Sequence, residues 1–143
     1  MQYLLKSMLL AVITVLGMAL TIVPAHAQSD SRVVANIPFE FSVGNTTLKA
    51  GNYRVKQLES GLISLSSQDG KEQRFALTFP GTSDEQKSEP YLVFIRYGNK
   101  SFLRKISISG DNDCLELPES SRERELIKNQ AGAEVSLLIQ PAR

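Results

Sequence analysis

Between residues 33 and 43, apolar side chains recur at every second position, with Val34 the one aliphatic residue out of phase. Val33, Ala35, Ile37, Phe39, Phe41 and Val43 fall on one face, and Asn36, Pro38, Glu40 and Ser42 on the other. This period of two is that of a strand with one side buried. Pro38 has no N–H to give a ladder, which predicts a sheet edge or a bulge near the middle. Gly44-Asn45 begins a turn, and residues 49–52 turn the chain again before a strand over 53–58 with Tyr53 and Val55 on one face. Gly61 separates this from a strand over 62–67. Asp69-Gly70 then signals a hairpin into 73–79, where Phe75, Leu77 and Phe79 share a face.

The richest strand signal is residues 91–109, YLVFIRYGNKSFLRKISIS. It predicts a hairpin closed on Gly98-Asn99, a pair able to supply the positive φ of a primed turn. A regular register sets Tyr97 opposite Lys100, Ile95 opposite Phe102, Val93 opposite Arg104 and Tyr91 opposite Ile106. One face then carries Tyr91, Val93, Ile95, Tyr97, Phe102, Ile106 and Ile108, interrupted by Lys100 and Arg104. The other carries Leu92, Phe94 and Leu103 among polar residues. Two partly apolar faces predict a pair packed on one side and half covered on the other. A ligand or partner surface built from Tyr91, Arg96, Tyr97 and Arg104 is the functional alternative, although aromatic and β-branched residues suit a hairpin without any ligand.

Residues 80–90, PGTSDEQKSEP, lack apolar periodicity and predict an exposed loop. Residues 110–113 turn the chain ahead of a short strand over 114–117. Ser120 and Glu123 have capping-box spacing before a helix over 122–130, with Gly132 placed to cap its end. Val135, Leu137 and Ile139 mark a last strand over 134–140. Seven or eight short strands and one helix predict an all-β fold, a single-domain antiparallel β-sandwich or small β-barrel with one short helix in its C-terminal half.

The N-terminus changes what this domain contains. Residues 9–23 carry no charge, Lys6 precedes them, and Pro24-Ala25-His26-Ala27 ends in a small-x-small cleavage pattern. Fifteen residues of helix span about 22 Å, short of a ~30 Å hydrocarbon core. The expectation is a signal peptide over 1–27, cleaved to leave one β-rich domain over 28–143 in the periplasm or outside the cell, with no membrane span. Cleavage takes away His26, the only histidine, and Lys6, so that fifteen basic residues balance fifteen acidic ones. Such a balance argues against nucleic-acid binding, which needs a basic face.

Little reaction chemistry remains. Without histidine there is no Ser-His-acid triad and no imidazole metal site. The only cysteine, Cys114, cannot form an internal disulfide and has no imidazole to make it a thiolate. Asp111 and Asp113 are the most compact carboxylates, but an EF-hand loop begun at Asp111 would place Glu116 where glycine is required and Arg122 where glutamate is, so they read as turn formers. No catalytic residue, cofactor or metal ligand is assigned.

Taken as a set, Ile37-Pro38-Phe39-Glu40-Phe41-Ser42-Val43-Gly44, Leu48-Lys49-Ala50-Gly51-Asn52-Tyr53-Arg54-Val55 and Phe94-Ile95-Arg96-Tyr97-Gly98 resemble the motifs of a group of small exported β-rich proteins common in acidobacteria-like soil bacteria. Phe102-Leu103 and the charged run 122–126 match the group's later parts, while Lys49 stands where its pattern has proline. The resemblance spans nearly all of the chain after the leader. It implies an exported single domain and supplies no catalytic residue. The leading expectation is a non-catalytic module binding a protein or envelope partner. A carrier of a small apolar ligand would instead need an internal cavity, and a carboxylate-based polysaccharide hydrolase two acids in one cleft.

Overall fold

The computed structural model describes Met1 and residues 32–59, 61–82, 89–109 and 114–141. The expected leader, and the turn containing Asp111 and Asp113, lie outside the described residues. Twelve strands and one helix are present among them: β1 (Arg32–Ile37), β2 (Phe41–Val43), β3 (Thr46–Leu48), β4 (Gly51–Glu59), β5 (Leu62–Ser67), β6 (Gln73–Leu77), β7 (Phe79–Gly81), β8 (Tyr91–Tyr97), β9 (Lys100–Ser107), β10 (Cys114–Glu116), α1 (Ser121–Ile127), β11 (Ala133–Leu138) and β12 (Gln140–Pro141). They form the all-β, sandwich-like fold that the alternation predicts. One sheet runs β12-β1-β4-β5-β6, and the other β11-β8-β9-β10-β7 with β2 and β3 attached through β9.

The inner faces of the sheets meet in one core. Val33, Ala35, Ile37, Val55, Ile63 and Leu65 from the first sheet join Phe41, Leu48, Leu92, Phe94, Leu103 and Ile106 from the second in one buried cluster. Covering each such side chain contributes roughly 2 kcal/mol of transfer free energy. One aromatic contact bridges the layers edge to face, Tyr53 of β4 on Phe41 of β2 at 5.2 Å, and Phe41 in turn meets Phe94 of β8 in its own sheet at 5.5 Å.

Three stretches that read as single strands each cross from one sheet to the other. The stretch 33–43 breaks at Pro38: β1 lies between β12 and β4, and β2 pairs with β3 and β9. Pro38 therefore marks neither an edge nor a bulge, but the corner where the ladder ends. Residues 73–81 cross at Thr78, so Phe79 belongs to β7 and Pro80-Gly81 to a strand paired with β10 rather than to the expected loop. The third crossing is at Ile139, whose N–H donates to Pro90 O at 3.0 Å between β11 and β12. Across Pro38 the buried apolar residues stay in step, from Ile37 to Phe41 and Val43, which is why the pattern runs on.

The central hairpin forms, with Gly98 at φ 60° and no non-glycine residue at positive φ among those described. Its turn is thus of the II′ kind, glycine at the first central position. Tyr97 faces Lys100 and Ile95 faces Phe102 as expected. Beyond Phe94, opposite Leu103, the register slips: Val93 faces Lys105 and Tyr91 faces Ser107. Arg104 is the extra residue of a β-bulge. The slip turns Ile106 onto the core face with Leu92, Phe94 and Leu103, correcting the expected faces. The bulge falls where the outer edge of β9 changes partner, from β2 at Phe102 to β10 at Lys105, and Leu117 N–H takes the Arg104 carbonyl at 2.8 Å.

Helix α1 starts where the capping box predicts, with Ser120 Oγ accepting from Glu123 N–H at 3.1 Å. It ends earlier than expected, its C-cap being Lys128 in the right-handed helical region. Gly132 does not cap it. A Cβ there would lie 2.5 Å from Ile95 Cγ2 and 2.8 Å from Tyr97 Cε1, so this glycine is required by close packing on β8. No helix among the described residues is long and apolar enough to cross a membrane.

Candidate functional site

The four residues singled out on the hairpin do not line one groove. Successive residues of β8 point to opposite faces, so Arg96 turns toward the Phe39 side and Tyr91 and Tyr97 away from it. The Arg96 guanidinium lies 4.8 Å over the Phe39 ring, and its Nε donates to Ser101 Oγ at 3.2 Å. Tyr91 is 1% exposed and Tyr97 7%, and both are packing residues on the hairpin's second face.

Arg104 and Tyr97 are brought together, beneath α1. Arg104 Nη1 lies 3.2 Å from Glu123 Oε2 and 3.6 Å from Glu119 Oε1. The Glu123 side chain is only 2% exposed, and its Oε1 has no hydrogen-bond partner among the described residues. Burial raises the Glu123 carboxyl above its ordinary range, with Arg104 and the Ser120 backbone N–H pulling the other way. Tyr97 is also raised, by burial first and then by the Glu123 charge. With the Glu123 carboxylate enclosed and Arg104 and Glu119 reaching toward the surface, the group works as a polar clamp for the helix. Sequence reading placed Glu123 in a capping box. Its pairing with Arg104 depends on the bulge, which no local pattern announces.

An open cleft of about 570 Å³ lies elsewhere, between the β3–β4 turn and the β5–β6 loop. Tyr53 Oη sits at its floor, 2.8 Å from Lys49 O and 2.9 Å from Glu72 Oε2. Burial and then the Glu72 carboxylate push this phenol up to about 12. Asp69, accepting from Ser67 Oγ at 2.6 Å and Lys71 N at 3.2 Å, is held below the usual carboxylate range. Tyr53 is thus engaged with Glu72, and Asp69 with Ser67 and Lys71. The raised carboxyl that acid catalysis would need, Glu123, shares no neighbour with it. No group of three or more His, Cys, Asp or Glu suited to a metal is found among the described residues.

The remaining feature is apolar. Phe75, Leu77 and Phe79 are 59%, 66% and 57% exposed. They stand at alternate positions along β6 and β7, the outermost strands of the two sheets on one flank of the sandwich. Sequence reading put these three on a common face, and the structure leaves all three side chains exposed. Among the described residues β6 is the end strand of its sheet, with no further strand on its outer edge. Compared with protein-family models, curated proteins and solved structures, the chain matches none.

Proposed function

We propose that this chain is an exported, non-catalytic binding module related to the small exported β-rich proteins it resembles. In this reading, cleavage after Ala27 releases the β-domain into the periplasm or beyond, where it engages a protein or envelope partner. Its working surface is the free edge carrying Phe75, Leu77 and Phe79. The exposure of those three side chains, two on the end strand β6 and one on the end strand β7, is the observation that carries the reading, because an apolar edge uncovered among the described residues invites another strand.

The other two readings have less support. A carrier needs an enclosed apolar cavity, whereas the inward side chains of both sheets join one buried cluster and the open cleft is floored by engaged polar groups. A glycoside hydrolase needs an acid and a base across one cleft, whereas the raised carboxyl lies under α1.

The test is an NMR titration of the ¹⁵N-labelled protein with an extended peptide alternating valine and threonine. Amide shifts centred on Gln73, Phe75 and Leu77 are expected. Shifts confined to the cleft between Lys49 and Glu72, or a co-purifying lipid seen by native mass spectrometry, would overturn the edge as the working surface.

A further inference from the structure

Hydrogen-bond parity fixes what the β6 edge offers. Ser67 N–H donates to Glu72 O at 2.8 Å at the closed end of the β5–β6 hairpin, and Thr78 N–H donates to Gly61 O at 2.8 Å at the open end. Between these points the register is regular, with Leu65 opposite Arg74 and Ile63 opposite Ala76. In an antiparallel ladder alternate residues exchange both main-chain bonds with the neighbour. Arg74, Ala76 and Thr78 therefore face β5, and Gln73, Phe75 and Leu77 present N–H and C=O outward. The same three residues turn their side chains to the outer face of the sheet.

We infer, on the reading of this edge as the working surface, that its occupant is a second copy of the chain, paired β6 to β6 in antiparallel register about Phe75. This register sets Phe75 against Phe75 at the twofold axis and Gln73 against Leu77 on either side. All outward main-chain groups of the three residues then find partners, and the two five-stranded sheets become one of ten. Isologous pairing demands a patch complementary to itself. The strand meets that demand: Arg74, on the opposite face, comes opposite Ala76, whose methyl leaves it room. Arg74 Nη1 meanwhile holds one lone pair of its neighbour's carbonyl, Gln73 O, at 2.8 Å, leaving the other for the pairing strand. Equal basic and acidic counts after the leader leave no net repulsion between copies.

Area sets the strength. With an aromatic side chain worth ~150–250 Å² when fully covered, the exposed parts of Phe75, Leu77 and Phe79 supply about 300 Å² per copy. A standard interface covers roughly 800 Å² per partner, so this pair belongs to the weak, concentration-dependent class. Dissociation on the order of 10–100 μM is expected, with the monomer dominant in dilute solution.

Sedimentation velocity of the exported protein over a concentration series is the first measurement, expected to show a reversible monomer–dimer transition. Leu77→Pro removes one outward N–H without touching the ladder to β5, an edge substitution that strands tolerate. It should abolish the dimer while leaving the far-UV circular dichroism unchanged, and Phe75→Lys, which places like charges at the axis, should do the same. Register is read by oxidation: Phe75→Cys should cross-link to itself, since paired Cα atoms ~5.5 Å apart suit a disulfide. Gln73→Cys should not, but should cross-link to Leu77→Cys in a mixture. A protein monomeric throughout, a dimer indifferent to both edge variants, or self-linking of Gln73→Cys would each overturn the inference. If the protein stays monomeric while the valine–threonine peptide still shifts the edge amides, only the second copy as occupant fails. If neither responds, the working surface fails with it.

Discussion

Arg104 reaches Glu123 at 3.2 Å from a bulge in β9, and that carboxylate is almost wholly enclosed. The bulge and the ion pair explain each other. An unbulged Arg104 would lie opposite Val93 and carry the strand's alternation on in regular register. As the extra residue it lets Ile106 turn into the core while its guanidinium turns toward α1. The helix has seven residues, too few to be stable alone. It is held by Glu123 at the ion pair, by Ser120 at its cap, and by two bonds to the β2–β3 turn and strand, Ser121 Oγ to Asn45 Oδ1 and Arg122 Nη1 to Thr47 Oγ1.

Removing one member of a buried ion pair leaves the other charge without compensation, a loss of ~3–5 kcal/mol where both are enclosed. Arg104 is 22% exposed, so Arg104→Ala should cost about 3 kcal/mol in urea unfolding, toward the low end of that range. Glu123→Gln should cost less, because Glu119 remains beside the guanidinium. Equal losses from the two variants would mean that the pair does not hold the helix.

The same carboxyl sets an unusual pH dependence. Its folded value is raised above the ordinary 4.5, so the native state holds this proton more tightly than the unfolded chain. The contribution is complete below 4.5 and fades as pH rises through the raised value. Asp69 has the opposite sign: its folded value lies below 3.8, and its contribution is present above 3.8 and lost as pH falls through the lowered value. The stability of the wild type relative to Glu123→Gln should therefore increase as pH falls from neutral, while its stability relative to Asp69→Asn should decrease in strong acid. Urea midpoints taken across the acid range read both differences, and parallel curves for either pair of proteins would contradict the assignment.

How far this fold was legible follows from what a period-two pattern records. It records which side of the chain faces inward, and along 33–43 it was right at Val33, Ala35, Ile37, Phe41 and Val43, with Phe39 half-buried. It does not record which sheet the strand belongs to. The crossing at Pro38 preserves the alternation and changes every hydrogen-bond partner. Phe75, Leu77 and Phe79 show the complementary blind spot: alternation shows that they share a face and not whether that face is covered, and all three are exposed. The site residues suffered from the slip at Arg104, since one extra residue decides which side chains of β9 share a face. Glu123 was legible as a cap, because capping is local, and illegible as an ion-pair partner, because Arg104 lies nineteen positions away.

Gly132 offers a test of the packing on β8. An added methyl would stand 2.5 Å from Ile95 Cγ2 and press on the Tyr97 ring. Overpacking of this kind costs ~1–3 kcal/mol. Gly132→Ala should lower the thermal midpoint measurably, and pairing it with Ile95→Val, which trims a methyl at the contact, should recover part of the loss. A neutral Gly132→Ala would show that the segment between α1 and β11 has room to move away.

Cys114 gives a last test, of the seam between β9, β10 and β7. The residue is 2% exposed, opposite Ser107 on one side and Gly81 on the other. Burial pushes its thiol up, and Tyr91 and Lys105 offset this only in part. Thiolate is the reactive form, and little of it exists at neutral pH in such a setting. Iodoacetamide should therefore label the native protein at least on the order of 100-fold more slowly than the urea-unfolded chain, because labelling must wait for the seam to open. Mass spectrometry of timed samples reads the rate. The gap should narrow in Gly81→Ala, where an added Cβ would press on the Glu116 side chain and loosen β7 from β10. Native labelling as fast as in urea would mean that the β10 seam stands open, and that an oxidised dimer could form through Cys114 instead of the β6 edge.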